Sequence, residues 1–328
     1  MKSLVTGASG FVGSAVMREL LAAGHEVRVL VRPQSDRRNL EGLSVEIVEG
    51  NLRDRASLQR IVRGCDYLFH VAADYRLWTP DPDIMYDTNV RGTQELILAA
   101  AEAGLKRIVY TSSVATLGVS EDGTLVTEET PSALHMMIGH YKRTKYLAEE
   151  TVRKLTLQNQ LPLVIVNPSA PIGPRDIKPT PTGRIVLDTL LGRMPAYVDT
   201  WLNVVHVDDV ARGHLLAFER GKPGERYILG GENMTLLQIL STIDELTGTR
   251  KFRMRLPHKM VMLSAHILDK WALVSGREPR VTVEAARMAK KKMIYSTDKA
   301  MRELGYQYRP AREALQDAIT WYMNKGYL

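Results

Sequence analysis

Residues 6–13 read TGASGFVG, with glycines at positions 7, 10 and 13 directly behind the apolar run SLV. A strand that ends at the first glycine and a helix that opens beside the second leave the main chain bare where it turns. Glycine permits the tight turn and the close approach of backbone to an anionic group. The helix N-terminus then offers unpaired N–H groups and the positive end of its dipole to a pyrophosphate. Gly7, Ser9, Gly10, Phe11, Val12 and Gly13 are therefore candidate dinucleotide contacts. A glycine triplet alone is a weak signal; the strand before it and the helix after it give it weight.

The pattern continues outward. EVRVLVR, VEIVEG, YLFHVAA, RIVYTSS and LVIVNP alternate with stretches of helical period near 11–23, 57–64, 88–103 and 141–157. Continuous apolar strands separated by helices predict an α/β fold with a doubly wound parallel sheet, the Rossmann fold. After Pro168 the Pro-rich stretch PSAPIGPRDIKPTPTG is read as irregular chain crossing into a second unit. The expected organisation is a dinucleotide-binding domain over 1–167, with returning segments near 204–230. Residues 168–203 and 231–328 then form a smaller C-terminal α/β substrate lobe.

The 328 residues are 45% hydrophobic and carry 44 Lys plus Arg against 37 Asp plus Glu, a net charge of +7. That excess is diffuse apart from RPQSDRR at 32–38 and KKK at 290–292, and no basic-aromatic signature predicts a nucleic-acid partner. A single cysteine, Cys65, excludes an internal disulfide, and the eight histidines show no metal-ligand spacing, so no metal is expected. HVDD at 206–209 reads as a helix start near the domain junction rather than as ligands, and no GxSxG elbow suggests a hydrolase. With no signal-peptide pattern and no membrane-length apolar run, a cytoplasmic protein is expected.

The second strand ends at Val31 and Arg32, with no carboxylate before Asp36. NAD sites usually place an acid there for the ribose 2′-hydroxyl, whereas Arg32, helped by Ser35, Arg37 or Arg38, suits a 2′-phosphate. NADP(H) is favoured over NAD(H). At the chemical end, RIVYTSS closes a strand in Thr111, Ser112 and Ser113, on the side of the sheet where ligands of this fold lie. Tyr141 and Lys145 stand four apart at the head of the next long helix and share a face. The same spacing recurs in Tyr295 and Lys299, but no glycine loop or hydroxyl-ended strand feeds that pair.

This constellation resembles the extended short-chain dehydrogenase/reductases, the NAD(P)-dependent epimerase/dehydratase family, over nearly the whole chain. It includes HVAA (70–73), NVRGT (89–93), YKRTK (141–145), NPSAPIGP (167–174) and HVDDVARG (206–213). More narrowly, DYRLW, MIGHYKRTKYLAE, RMPAYVDT and GREPRVT are similar to the hopanoid-associated sugar epimerases, also labelled dihydroflavonol-4-reductase-like. The resemblance implies Tyr141 as proton donor or acceptor and Lys145 as the cation that lowers its pKa and holds the nicotinamide ribose. It implies Ser113 as the hydroxyl that orients the substrate oxygen, in preference to Ser112, and Asn89 as support for the lysine's network. Asn51, Leu52, Val71, Ala72, Ala73 and Pro168 fall at its cofactor-flanking positions, with Asn51 where relatives commonly carry Asp. Asn167 stands where many carry Arg before the proline, which weakens sugar-nucleotide recognition by that route.

The leading reading is an NADP(H)-dependent oxidoreductase acting at a carbonyl or alcohol carbon of a small or lipid-linked substrate. An epimerase with resident NAD is the rival, and a dinucleotide sensor without catalysis is the remote alternative. Tyr75, Trp78, Trp201 and Arg280 are weak substrate-side candidates. The Met- and Leu-rich stretch 256–276 is read as a packed lobe helix, with a lipid-like substrate or membrane surface as the alternative. The resemblance also implies a homodimer through the Tyr141 helix and the helix after Asn89.

Overall fold

The computed structural model describes residues 1–76, 78–79, 81–119, 123–249, 251–275 and 282–328. Seven strands form the main sheet: β1 (Lys2–Thr6), β2 (Glu26–Val31), β3 (Glu46–Glu49), β4 (Tyr67–His70), β5 (Arg107–Thr111), β6 (Leu163–Pro168) and, much later, β10 (Arg226–Leu229). Their order is β3-β2-β1-β4-β5-β6-β10, and every pairing is parallel. The order reverses between β1 and β4, the switch point at whose carboxyl end ligands of such sheets lie.

The strands are apolar throughout because both faces are covered. Leu4, Leu68, Ile108 and Leu163 lie in register and point into one core; Val5, Phe69, Val109 and Val164, one residue on, point into the other. The first core packs against α2 (Arg55–Val62), α4 (Gly92–Glu102) and α5 (Gly139–Asn159), the second against α1 (Phe11–Ala22) and α7 (Val207–Arg220). A short α3 (Pro82–Tyr86) runs through one π-helical turn, Asp87–Arg91, into α4.

The lobe is built around β9 (Trp201–His206), which pairs parallel with β7 (Ala170–Ile172) and antiparallel with β11 (Glu232–Thr235). Helices α6 (Pro181–Leu190), α8 (Leu236–Leu246) and α12 (Ala311–Asn324) close a third core holding Ile172, Val186, Val204, Ile239 and Ile319. Two-residue strands β8 (Ala196–Tyr197) and β12 (Met254–Arg255) pair at the edge; α9 (His258–Ser275), α10 (Val283–Met288) and α11 (Asp298–Leu304) complete the chain. The Pro-rich crossing is more ordered than its composition suggests. It contains β7 and the start of α6, because Pro181 at the first helical position lacks only an N–H that has no partner there anyway. No described helix is long and apolar enough to cross a membrane.

Candidate active site

The glycine loop is shaped by sterics. Gly7 has φ +79°, and a Cβ there would lie 2.8 Å from the Ala72 backbone; at Gly13 a Cβ would lie 2.1 Å from the Gly7 carbonyl oxygen. The Gly10 N–H donates to that same carbonyl (2.9 Å). Gly10 begins α1 without a side-chain cap, and no acidic residue occupies the first turn. A concave backbone with an uncapped, uncharged helix start fits a dinucleotide pyrophosphate. Asn39 fastens this loop: its buried side-chain amide donates to the carbonyls of Ser9 (3.3 Å), Gly10 (3.4 Å) and Arg175 (3.1 Å). Sequence reading missed it, since nothing marks one asparagine in a basic loop as buried.

Beside the loop, the Thr6 hydroxyl accepts the Ala72 N–H (3.2 Å) and meets His70 Nδ1 (2.7 Å), while His70 Nε2 meets the Thr93 hydroxyl (2.9 Å). Burial, then the nearby Lys145, pushes the His70 pKa down to about 3, so the ring is a neutral strut. Val71, Ala72 and Ala73 follow it along the rim of the crevice. Pro168 ends β6 in the interior, and buried Leu52 packs where a Cβ on Gly92 would fall. Asn51 turns its side-chain oxygen onto the Arg53 N–H (3.1 Å), which leaves one lone pair of that oxygen for an adenine amino group.

The basic loop divides its charges. Arg37 pairs with Glu49, and Arg38 with Asp36 (2.7 Å), whose carboxyl the guanidinium pulls down to about 2. Arg32 is exposed; its N–H donates to the Ser35 hydroxyl (3.2 Å), and its guanidinium has no partner among the described residues.

At the end of β5 the two serines part company. The Ser112 hydroxyl donates to the buried Glu149 carboxylate (2.5 Å), which also receives Thr116 (2.8 Å), Asn167 (2.9 Å) and Arg226 (3.0 Å). The Ser113 hydroxyl instead accepts the Ala115 N–H (3.1 Å) and lies on the Tyr141 side of the strand end. Burial pushes the Tyr141 phenol up, and the Ser113 hydroxyl works against the shift. Asn167 donates to the Ser113 carbonyl (3.0 Å) and so holds the serine's backbone, while its own Oδ1 is buried without a partner.

Lys145 lies on the Tyr141 side of α5 but bonds other groups: its Nζ donates to the Thr111 carbonyl (2.8 Å) and the Tyr110 hydroxyl (3.2 Å). Only 3% exposed, the ammonium is pushed down to about 8 by burial, with Glu149 opposing. Tyr110 is a second residue the sequence reading passed over. Asn89 is one step removed from the lysine. It accepts the Asp74 N–H (2.7 Å) and donates to the Asp74 carbonyl (2.8 Å) and to the hydroxyl of Thr144 (3.1 Å), so it ties the loop after β4 to α5.

A third residue the sequence did not reveal is Glu284. Its carboxylate occupies the space a Cβ on Gly139 would need (2.1 Å away) and lies beside His140 at the start of α5. Gly139, at φ +83°, is what lets it approach. The lobe thus caps the helix that carries Tyr141.

Of the weaker candidates, Tyr75 is 41% exposed and within electrostatic reach of Tyr141, Asp176 and Arg184; Trp78 is half-buried in the same loop. Buried Asp176 accepts Thr180 N–H and hydroxyl (both 2.8 Å) and the Tyr322 hydroxyl (3.2 Å), and burial lifts its carboxyl to about 6. Trp201 opens β9 and lines a separate cleft of about 400 Å³ with Asp199 and Lys290 to Lys292, to which neither Tyr75 nor Tyr141 contributes. Arg280 lies outside the described residues. His206 caps α7 by accepting the Asp208 N–H (3.0 Å), and no metal cluster occurs among the described residues.

A model of the NAD dependent epimerase/dehydratase family matches residues 3–230. The chain belongs to that family. It is 44% identical to a Synechocystis sp. protein provisionally named a dihydroflavonol 4-reductase, over 99% of this chain and 95% of the other. It is 36% identical to sterol demethylase protein B of Methylococcus capsulatus over the full length of both. Among solved structures, that of gox2253 is 52% identical, covers 99% of each chain and superposes with a TM-score of 0.90. The extended short-chain dehydrogenase/reductase architecture expected from the sequence is what these relatives share.

Proposed function

We propose that this protein is an NADP(H)-dependent reductase that interconverts a carbonyl and an alcohol on a small or lipid-borne substrate. The observation that carries the reading is the placement of Ser113 at the carboxyl end of β5, within reach of the Tyr141 phenol, with Lys145 on the same side of α5 as Tyr141. The dinucleotide, when bound in the glycine cradle, supplies the hydride.

The chain's own groups divide the remaining work. Ser113 donates a hydrogen bond to the substrate oxygen and orients it. Tyr141, protonated at neutral pH as an ordinary phenol and the more so because burial raises its pKa, gives its proton to that oxygen as the carbonyl carbon is reduced. The positive charge of Lys145 offsets the phenolate left behind. Run backwards, the same groups take the proton from an alcohol. The preference for the phosphorylated dinucleotide rests on Arg32, the guanidinium that Glu49 and Asp36 leave uncommitted. Two relatives' names support the substrate class: one is a reductase by name, and the other acts in sterol demethylation. The resemblance to hopanoid-associated enzymes points the same way.

The family's description favours a second reading, an epimerase that keeps NAD resident and shows no net redox change. Denaturing freshly purified protein and identifying the released nucleotide by mass spectrometry separates the two. An empty site that binds NADPH far better than NADH, or released NADP(H), is expected; stoichiometric NAD⁺ would overturn the reductase assignment.

A further inference from the structure

Helix α9 is apolar on two sides, and the fold covers only one of them. Ala265 and Ala272 are 0% and 1% exposed, whereas Met260, Leu263 and Ile267 are 59%, 66% and 61% exposed. With 3.6 residues per turn those three share a single stripe, turned away from the alanines. The chain entering the helix adds Phe252 at 93% and Met254 at 57%. Exposed apolar residues are ordinarily scattered singly, and a run of large ones along one helix stripe marks a surface that something covers.

The charges around the stripe say what covers it. Lys251, Arg255 and Lys259 are exposed in this segment, as are Lys290 and Lys292 beside it: the His258 ring bonds the Asp199 carbonyl (3.0 Å), and Asp199 lines the same cleft as those two lysines. Among the described residues, the nearby carboxylates are engaged. Asp199 pairs with Arg255, Asp244 with the buried Arg253, and half-buried Asp269 accepts the Val283 N–H (3.3 Å). An apolar stripe with a cationic rim complements a surface whose outside is anionic and whose inside is hydrocarbon.

We infer that this face docks on an anionic lipid bilayer. Helix α9 lies in the interfacial plane, with Met260, Leu263 and Ile267 turned toward the acyl chains and the lysines at the headgroups. The helix does not qualify to span the membrane, so a surface-parallel pose is the one open to it. Docking rests on these side chains and is independent of the catalytic reading. The two converge in space: α9 packs on α10, whose Glu284 touches the start of the Tyr141 helix. A substrate delivered from the bilayer would therefore arrive beside the lobe that closes on the chemistry.

The test is flotation of the full-length protein with vesicles of phosphatidylcholine alone and of phosphatidylcholine mixed with phosphatidylglycerol. The protein is expected to float with the mixed vesicles and far less with the neutral ones. Leu263→Ser combined with Ile267→Ser should lower the partition coefficient at least about tenfold, since each buried CH₂ contributes to insertion. Lys259→Glu should weaken mainly the preference for anionic lipid. Both variants should keep the wild-type melting temperature and NADPH affinity, which separates lost docking from lost folding. Failure to float with anionic vesicles, or flotation unchanged in the double variant, would overturn the inference. So would a wild-type assembly that ignores vesicles but loses a copy in the double variant by light scattering, because the face would then be a contact between copies.

Discussion

Two tyrosines in this chain are followed four residues later by a lysine, and the fold treats the pairs in unlike ways. Tyr141 and Lys145 sit on α5, so the spacing becomes a shared face; Ser113 meets the phenol and the β5 end meets the ammonium. Tyr295 precedes a helix rather than lying in one. It is buried, bridges to Val126 and hangs its backbone on the Asn233 side chain at 3.0 and 3.1 Å. Lys299, one residue into α11, bonds Glu225 (2.6 Å) and lies 5.1 Å from the centre of the Tyr227 ring. Four residues of spacing mean proximity only where the backbone is helical across them. What separates the proposed catalytic pair from the structural one is then the third group that the sheet brings to it.

The sharpest way to break this contrast is to remove each phenol. Tyr141→Phe should lower turnover by roughly a thousandfold or more, the range expected for losing a positioned acid, while NADPH affinity stays nearly constant. Tyr295→Phe should leave kcat within about twofold. Equal losses in steady-state assays of the two variants would sink the assignment of Tyr141.

The lysines should separate function from stability. Lys145 has a folded pKa of about 8 against an ordinary value of 10.5, so the folded state binds fewer protons between those pH values. The cost of burying its charge is complete below about pH 8 and gone above the unfolded value. Lys145→Met should therefore gain on the order of 1–2 kcal/mol at pH 7, measured by denaturant unfolding, while losing roughly a hundredfold in turnover. Lys299→Met should do the reverse: it forfeits the Glu225 pair, worth about 0.5–1 kcal/mol, and leaves turnover intact. The same titration sets a pH profile. Carbonyl reduction should be flat through neutrality and fall above about pH 8, as Lys145 loses the charge that balances the phenolate; a profile rising through that range in the reductive direction would contradict it.

The nucleotide end of the molecule invites a milder perturbation. Arg32→Asp puts a carboxylate where a 2′-phosphate would sit and where a ribose hydroxyl could be accepted. Charge-assisted pairs contribute about 1.5–3 kcal/mol, so the NADPH-over-NADH affinity ratio should fall by roughly 10- to 100-fold in fluorescence titrations. An unchanged ratio would mean that Arg37 or Arg38 leaves its acidic partner to hold the phosphate.

How legible each part was follows from how local its cause is. The glycine loop could be read from eight residues because much of its constraint lies within them: Gly7 takes φ +79°, and a Cβ on Gly13 would strike the Gly7 carbonyl. The sheet could be read because burial on both faces leaves a continuous apolar record in every strand. The choice between Ser112 and Ser113 could not be settled by the residues themselves, since both are serines at a strand end. Glu149, a turn beyond Lys145 on α5, sets the two apart by engaging Ser112. Asn39, Tyr110 and Glu284 left no mark because each acts through a partner distant in sequence and is an ordinary residue in its own neighbourhood. Asn167 stands out as a departure from the family's common arginine, and its role becomes visible only through the Ser113 carbonyl it holds.

Glu284 gives the smallest and most informative test of how the lobe bears on the catalytic pair. Its carboxylate lies beside His140 where α5 has no cap of its own, since Ile138 at that position offers no side-chain acceptor. Losing a carboxylate at a helix start, where it caps and faces the positive dipole end, costs about 1–2 kcal/mol. Spent on fraying the first turn, that would displace Tyr141, two residues in. Glu284→Ala should therefore lower kcat about fivefold to tenfold with NADPH affinity unchanged. Glu284→Gln keeps an acceptor oxygen and should restore most of the rate. The sign of its stability effect is also fixed. Burial raises the Glu284 pKa, so the folded state holds the proton more tightly, and that advantage is lost as pH rises through the folded value. At neutral pH the glutamine variant should melt no lower than wild type, and the two curves should converge in acid. Gly139→Ala should reproduce the alanine phenotype from the other side, because a Cβ at φ +83° expels the carboxylate. If Glu284→Ala and Gly139→Ala both leave kcat untouched, the lobe's contact holds the lobe alone, and Tyr141 is positioned entirely by Ser113 and the packing of α5 on the sheet.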